Sequence, residues 1–301
     1  MDNYIKNVNF NLPGFFHFNK LYGTLIKYYK NRPEVFKTNA HISAIFDSPS
    51  GVIWNGGRGV GLEQRWSRAE LTAAKRFMEQ NDIPVRFTFT NCLIEEKHLY
   101  DTYCNMILEI FANGKNEIIV NSELLESYIR EKYGDKYKYV SSTTKRLIKK
   151  EDELDEFEKD YYQICIDYDY NNDLEFLKKI KNPQNAELLI NAVCKPNCPL
   201  RKLHYESISR SQLNYTMESF SCTDQGKPFW AVQQEDNFIG IDKINQIYLP
   251  MGFINMKLEG RTAPFYDLIE ILLYYLIKEE FKSEVRFSLI EACMQQQNLL
   301  K

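Results

Sequence analysis

The chain has 301 residues, of which 44% are hydrophobic and 26% are charged, and its formal net charge at pH 7 is -3. A chain of this length can bury the core of one large α/β barrel or of two ordinary domains. The small net charge excludes a global electrostatic attraction to nucleic acid or anionic membrane, although a local basic groove is compatible with it.

The N-terminal residues lack the basic region and apolar run of a signal peptide, and no apolar run reaches the roughly 18 to 20 residues of a membrane span. The cysteine count is seven, and an odd number without an export signal favours reduced thiols over a disulfide framework. We therefore expect a cytoplasmic protein without membrane insertion, in which some thiols are available as metal ligands.

Short β-branched or aromatic runs alternate with helical patterns along the chain, which predicts parallel strands joined by right-handed crossovers. The predicted strands are Val8–Leu12, Ile42–Asp47, Val85–Asn91, Glu117–Asn121, Tyr137–Ser141, Gln163–Tyr168, Glu187–Val193 and Phe253–Leu258. The predicted helices are Phe18–Lys30, Arg68–Gln80, Glu95–Ala112, Leu124–Lys132, Glu151–Lys159, Leu174–Ile180 and Pro264–Glu280.

Eight strands followed by a last helix predict a (β/α)8 barrel, with a doubly wound open sheet as the alternative. A capping box at Ser67 and Glu70 marks the start of the second helix. No linker divides the chain, so residues 1–301 are expected to form a single domain. The region 201–245 shows no clear long helix, and we interpret it as an elaborated loop near the barrel mouth.

Two cysteines follow the seventh predicted strand, in the segment Cys194-Lys-Pro-Asn-Cys198. Cys92 ends the third strand at the same rim, and Cys222 lies in the long loop. These four thiols can form a tetrahedral zinc site or hold a [4Fe-4S] cluster, with His204 competing with Cys92 as the fourth ligand. The other three cysteines, Cys104, Cys165 and Cys293, are expected to be buried core residues.

Charged residues leave the last strand at the same rim. Glu259 and Arg261 can pair with each other, present a carboxylate and a guanidinium to a substrate, or help to close the barrel. Small polar residues at other strand ends can orient a polar ligand, although turn chemistry explains many of them equally well. They are Asn91, Asn121, Ser122, Ser142, Thr143, Thr144 and Asp169.

The glycine-rich segment Trp54–Gly61 lacks the spacing of a dinucleotide fingerprint and the Lys-Ser/Thr of a P-loop. It is predicted to be a mobile rim loop that carries Arg58, and no nucleotide cofactor is expected. Neither HExxH nor GxSxG occurs, so peptidase chemistry has no support in the sequence.

The segment Tyr248-Leu-Pro-Met-Gly-Phe-Ile-Asn-Met-Lys-Leu-Glu-Gly-Arg261 resembles the signature of the peptidase U32 family, in which a glycine turn leads into a last strand reading Lys-Ile-Glu-Gly-Arg. The segments 116–122 and 139–144 resemble the strands that this family places earlier in the chain. Cys194–Cys198 falls where the family places cysteines of an iron–sulfur cluster. The resemblance covers roughly residues 85–280 and implies the barrel fold.

Despite the family's name, the resemblance implies an oxygen-independent hydroxylation enzyme or factor that acts on an aromatic molecule or an RNA base. It also implies a [4Fe-4S] cluster, for which Cys194, Cys198, Cys222 and Cys92 are the candidate ligands. Glu259 and Arg261 are then expected to bind the substrate or the oxygen donor.

Two other functions are compatible with the sequence. One is a non-catalytic binding module that is stabilised by zinc or a cluster and binds RNA or a partner protein. The other is an RNA-directed factor, suggested by the basic groups Lys145-Arg-Leu-Ile-Lys-Lys150 and Arg201-Lys202, although such groups are usually solvated surface.

Overall fold

A computed structural model describes residues 3–61, 64–145, 160–216, 218–222 and 226–297. Eight parallel strands pair in sequence order, and the last pairs with the first, so the sheet is a closed barrel. The strands are β1 Val8–Pro13, β2 Ala40–Asp47, β3 Val85–Phe89, β4 Glu117–Val120, β5 Lys138–Ser141, β6 Gln163–Ile166, β7 Ala186–Leu189 and β8 Asn255–Lys257. The predicted (β/α)8 barrel is confirmed, and the open-sheet alternative is wrong.

The described residues contain seven helices of ten residues or more. They are α1 Asn19–Asn31, α2 Arg68–Gln80, α3 Thr102–Phe111, α4 Glu123–Tyr133, α5 Arg201–Asn214, α6 Phe265–Leu276 and α7 Lys282–Gln296. The capping box at the start of α2 is confirmed, because Ser67 Oγ accepts from the Glu70 amide and the Glu70 carboxylate accepts from the Ser67 amide. No helix within these ranges is long and apolar enough to cross a membrane.

The predicted absence of a long helix in the region 201–245 is wrong, because α5 has 14 residues. Its sequence has no apolar stripe, and the residues that it buries include Arg201, Ser207, Ser209 and Gln212. A pattern search for a hydrophobic face cannot find a helix that packs through polar contacts. The predicted helix 95–112 is split into a 3-10 turn and α3, and the predicted helix 151–159 lies outside the described residues.

The barrel interior is filled by alternate strand residues, since successive side chains of a strand point to opposite faces. Its middle is apolar and consists of Phe46, Ile119, Val140 and Cys165. The layer nearer the amino ends of the strands is instead charged and polar, where branched apolar side chains are usual. It contains Asn11, Arg86, Glu117, Gln163 and Glu187, and all five are buried.

Arg86 of β3 lies at the centre of this polar layer. Its guanidinium donates to Glu117 of β4 and to Glu187 of β7, and its Nη2 donates to Gln163 Oε1 of β6 at 2.6 Å. Glu187 also accepts from Asn11 Nδ2 of β1 at 2.5 Å. Although burial opposes ionisation, the charges of Arg86 and Lys257 lower the pKa of Glu187 to about 2. One buried ionic network therefore connects strands on opposite sides of the barrel.

We expect Arg86→Met to lower the free energy of unfolding by about 3–5 kcal/mol, because buried Glu117 loses its ion-pair partner and buried Glu187 keeps only its longer contact with Lys257. Denaturant unfolding of the variant and the wild type measures this loss. The matched control is Arg68→Met, which breaks the exposed pair Arg68–Glu109 and is expected to cost about 0–1 kcal/mol. Equal losses in the two variants would contradict the central role of Arg86.

Candidate active site at the barrel mouth

A pocket opens at the carboxyl ends of the strands, where barrels of this type place their reactive groups. It encloses about 580 Å³, part of it open to solvent. Its wall combines three cations, one carboxylate, several hydroxyl groups and aromatic rings, which suits a small ligand with polar groups. The lining side chains are Phe46, Arg58, Thr88, Thr90, Ile119, Ser142, Thr143, Thr144, Tyr168, Leu189, Tyr205, Lys257, Glu259 and Arg261, with backbone from Gly56, Gly57 and Gly260.

Glu259 pairs with Arg58 across the pocket wall. Both Nε, at 2.7 Å, and Nη2 of Arg58 donate to Glu259 Oε1. The other oxygen, Oε2, accepts from the Val193 amide at 2.9 Å, which ties the carboxylate to the chain that follows β7. The side chains of Arg58 and Glu259 keep 23% and 13% of their exposure, so the pair is partly accessible from the mouth.

Arg261 is buried and binds the loop after β2. Its Nη1 donates to Asn55 Oδ1 at 2.6 Å and to Thr88 Oγ1, and its Nη2 donates to the carbonyl oxygens of Gly56 and Arg58 at 3.1 and 3.0 Å. Burial lowers the pKa of Arg261 to about 10. Of the alternatives that the sequence left open, the pairing of Arg261 with Glu259 does not form, because Arg58 is the ion-pair partner of Glu259.

The loop 54–58 is held close to the barrel, in contrast to the predicted mobile rim loop. A Cβ atom on Gly56 would lie 2.4 Å from the Thr90 carbonyl oxygen, so only glycine allows this approach. Gly57 has a φ of +73°, a conformation that also favours glycine. The two glycines therefore bring Arg58 to the pocket rather than forming a phosphate cradle.

The predicted polar rim is present at the ends of β4 and β5. Ser142 Oγ and Thr144 Oγ1 lie 2.7 Å apart, and Asn121 Nδ2 donates to Thr144 Oγ1 at 2.8 Å. Ser122, in contrast, caps α4 by accepting from the Leu125 amide. Of these predicted residues, the structure brings Ser142, Thr143 and Thr144 to the pocket wall.

Helix α5 lies across the mouth and contributes Tyr205 to the pocket. At its first turn, Arg201 binds Asp167 and Asp169 after β6, with Nη2 of Arg201 2.6 Å from Asp169 Oδ1. Near its last turn, Gln212 Oε1 accepts from Asn55 Nδ2 at 3.3 Å. The helix is thus held at both ends by polar contacts, one to the residues after β6 and one to the loop after β2.

The structure gives the four predicted metal ligands different surroundings. Cys194 is buried beside Tyr168, and its Sγ accepts from Arg58 Nη2 at 3.6 Å. Cys92 Sγ lies 3.2 Å from Ser209 Oγ of α5. Cys198 and Cys222 are partly exposed.

A four-cysteine cluster requires sulfurs that converge on one point. In the described parts of the chain, no three His, Cys, Asp or Glu side chains are grouped as metal ligands are. We therefore derive no reaction step through a [4Fe-4S] cluster or a zinc ion, and the four-cysteine ligand set stays a prediction. His204, the competing ligand, stacks on Phe220 with ring centroids 4.5 Å apart.

The remaining sequence predictions concern the other cysteines and the basic groups. Cys104, Cys165 and Cys293 are buried, which confirms their assignment to the core. Arg201 is buried in its ion pairs, so its charge is not offered to solvent. Lys145 binds Glu126 at 2.9 Å, and residues 146–150 lie outside the described part of the chain.

Sequence reasoning missed Lys257, Tyr205 and the pairing of Arg58 with Glu259. Lys257 lies two residues before Glu259, so the alternation of a strand already predicts that both face the barrel interior. Tyr205 carried no such signal, because it belongs to a helix without an apolar stripe.

Comparisons with known proteins agree with this architecture. Neither the protein-family models nor the curated proteins give a match. A solved structure, that of the U32 peptidase Mk0906, superposes with a TM-score of 0.52 over 88% of this chain and 96% of that chain, at 12% sequence identity. This chain has the fold of a U32 peptidase. The fold that the sequence resemblance implied is thereby confirmed, and the identity is too low to transfer an activity.

We expect Arg261→Lys to loosen the loop after β2, because a lysine cannot reproduce the four contacts of the guanidinium. Hydrogen–deuterium exchange of peptides from residues 52–61 should become faster. Arg286→Lys is the control, since Arg286 pairs with Glu270 on the surface, and its exchange in this segment should match the wild type. Unchanged exchange in Arg261→Lys would show that the loop is held by other contacts.

Proposed function

We propose that this chain is a barrel enzyme that binds and modifies a small aromatic or nucleobase-like molecule at the mouth. The observation that carries the proposal is the composition of the pocket wall, where the rings of Tyr168 and Tyr205 lie with the Arg58–Glu259 pair. Aromatic rings favour a flat, apolar ligand, and the ion pair presents hydrogen-bond donors and acceptors side by side.

In this proposal, Glu259 orients a polar group of the substrate. Its two oxygens are fixed by Arg58 and by the Val193 amide, but a carboxylate has about four acceptor sites and retains capacity for a further donor. Arg261 is a positioning residue, because it holds the loop that carries Arg58. This assignment divides the roles that the sequence had given jointly to Glu259 and Arg261.

Oxygen-independent hydroxylation is the finer part of the proposal, and it is supported by the sequence resemblance alone. The same resemblance supports a [4Fe-4S] cluster, which would supply electrons or a Lewis acid when bound. Its ligands would be Cys194, Cys198, Cys222 and Cys92, and Cys194 lies beside the Arg58–Glu259 pair. A zinc-stabilised binding module is the alternative.

We expect Thr143→Trp to weaken the binding of small aromatic probes by at least about tenfold, because an indole at the rim fills the pocket. Ligand-observed NMR with phenol and free nucleobases measures this change. Thr72→Trp in α2 is the control, since Thr72 is half-buried and is not part of the mouth lining, and it should bind as the wild type does. Binding that is equally strong in both variants would place the ligand elsewhere.

The cofactor has a separate test. After anaerobic purification and reconstitution, we expect about four irons per wild-type chain, as a four-cysteine cluster requires, with matching acid-labile sulfide. Cys194→Ser should lose this iron, whereas Cys293→Ser, a core substitution in α7, should keep it. Zinc in place of iron would favour the binding module, and no metal at all would make the thiols structural.

A further inference from the structure

Lys257 faces the barrel interior at the end of β8 and lines the floor of the mouth pocket, with only 8% of its surface exposed. We propose that Lys257 binds the carboxylate of a small aromatic monocarboxylate, with the ring of that molecule directed toward Tyr168 and Tyr205. This inference rests on the proposed function and names the chemical class of its ligand.

The contacts of the Lys257 ammonium leave it able to bind an anion. Its Nζ lies 3.4 Å from Glu187 Oε1, 3.6 Å from Cys165 Sγ and 4.5 Å from the centre of the Phe46 ring. Neither the long carboxylate contact nor the weak sulfur acceptor is a short charge-assisted hydrogen bond. An ammonium has three donors, so a ligand carboxylate can improve on the contacts that the protein provides.

The carboxylate nearest the Lys257 ammonium lies behind the pocket wall. Arg58, Lys257 and Arg261 line the pocket with Glu259 as the lining carboxylate. Glu187 belongs to the polar layer below and accepts from Arg86 and Asn11. A ligand in the pocket therefore meets an excess of positive charge.

The floor around Lys257 strengthens this attraction. Phe46, Ile119 and Leu189 are apolar neighbours in the lining, and a charge interaction is stronger where the local dielectric constant is low.

The charge of the ligand can be inferred from the cationic groups in the pocket that are not already engaged by protein acceptors. The η nitrogens of Arg261 are engaged with Asn55, Thr88 and two carbonyl oxygens, and Arg58 is engaged with Glu259. A phosphate dianion requires more positive charge than the one remaining ammonium supplies. A single carboxylate matches one ammonium on an apolar floor.

The experiment compares benzoate, its neutral analogue benzamide and inorganic phosphate as probes of the full chain, by calorimetry and ligand-observed NMR. Wild-type protein should bind benzoate at least about tenfold more tightly than benzamide, as expected for a buried charge-assisted hydrogen bond. Lys257→Met should abolish this preference while benzamide binding persists. Lys282→Met, at a surface ion pair with Glu279, should leave the preference unchanged.

A readout on the wild type keeps the inference testable if Lys257→Met does not fold. Nuclear Overhauser effects should connect bound benzoate to the ε-methylene protons of Lys257. Equal binding of benzoate and benzamide, or a preference that survives in Lys257→Met, would overturn the role of Lys257 and leave the aromatic pocket standing. Preferred binding of phosphate would overturn the carboxylate. Failure of every aromatic probe, including phenol and nucleobases, would overturn the proposed function as well.

Discussion

The structure depends on one guanidinium that is sealed inside a barrel. Arg86 binds partners on β4, β6 and β7, and Glu187 extends the network to Asn11 on β1 and Lys257 on β8. A buried charge is tolerated only with its counter-charges in place. The network therefore stabilises the one strand register that brings Arg86 and its partners together. The same network fixes the floor on which the mouth pocket is built, because Glu187 contacts both Arg86 below and Lys257 above.

Arg261 connects several residues at the barrel mouth through hydrogen bonds, as Arg86 does in the barrel interior. The segment Lys257-Leu-Glu-Gly-Arg261 carries three charged side chains, and each of them lies in a different environment. Lys257 lies on the floor, Glu259 pairs with Arg58 in the wall, and Arg261 holds the loop behind Arg58. In our proposals, Lys257 therefore contacts the ligand, Glu259 orients a polar group of the ligand, and Arg261 holds the loop that carries Arg58. Three residues of one short segment thus have three different roles.

The sequence predicted the barrel because its strands and most of its helices obey local rules. Alternating runs locate all eight strands, and the capping box at Ser67 marks the start of α2. The pairing of Glu259 with Arg58 was not predictable, because it joins residues about 200 positions apart through a loop geometry that Gly56 and Gly57 permit. Helix α5 escaped prediction for another reason, since its buried residues are Arg, Ser and Gln side chains with a single tyrosine, Tyr205, rather than an apolar stripe.

The polar face of α5 has a thermodynamic consequence. Its contacts with the barrel include hydrogen bonds and ion pairs, such as Arg201 with Asp169 and Cys92 with Ser209. Water can replace such contacts, and exposing polar surface does not raise the heat capacity as exposing apolar surface does. Separation of α5 from the mouth would therefore be a local opening with a small heat-capacity change. Unfolding of the barrel would have a large heat-capacity change, because it exposes the buried aromatic and aliphatic residues.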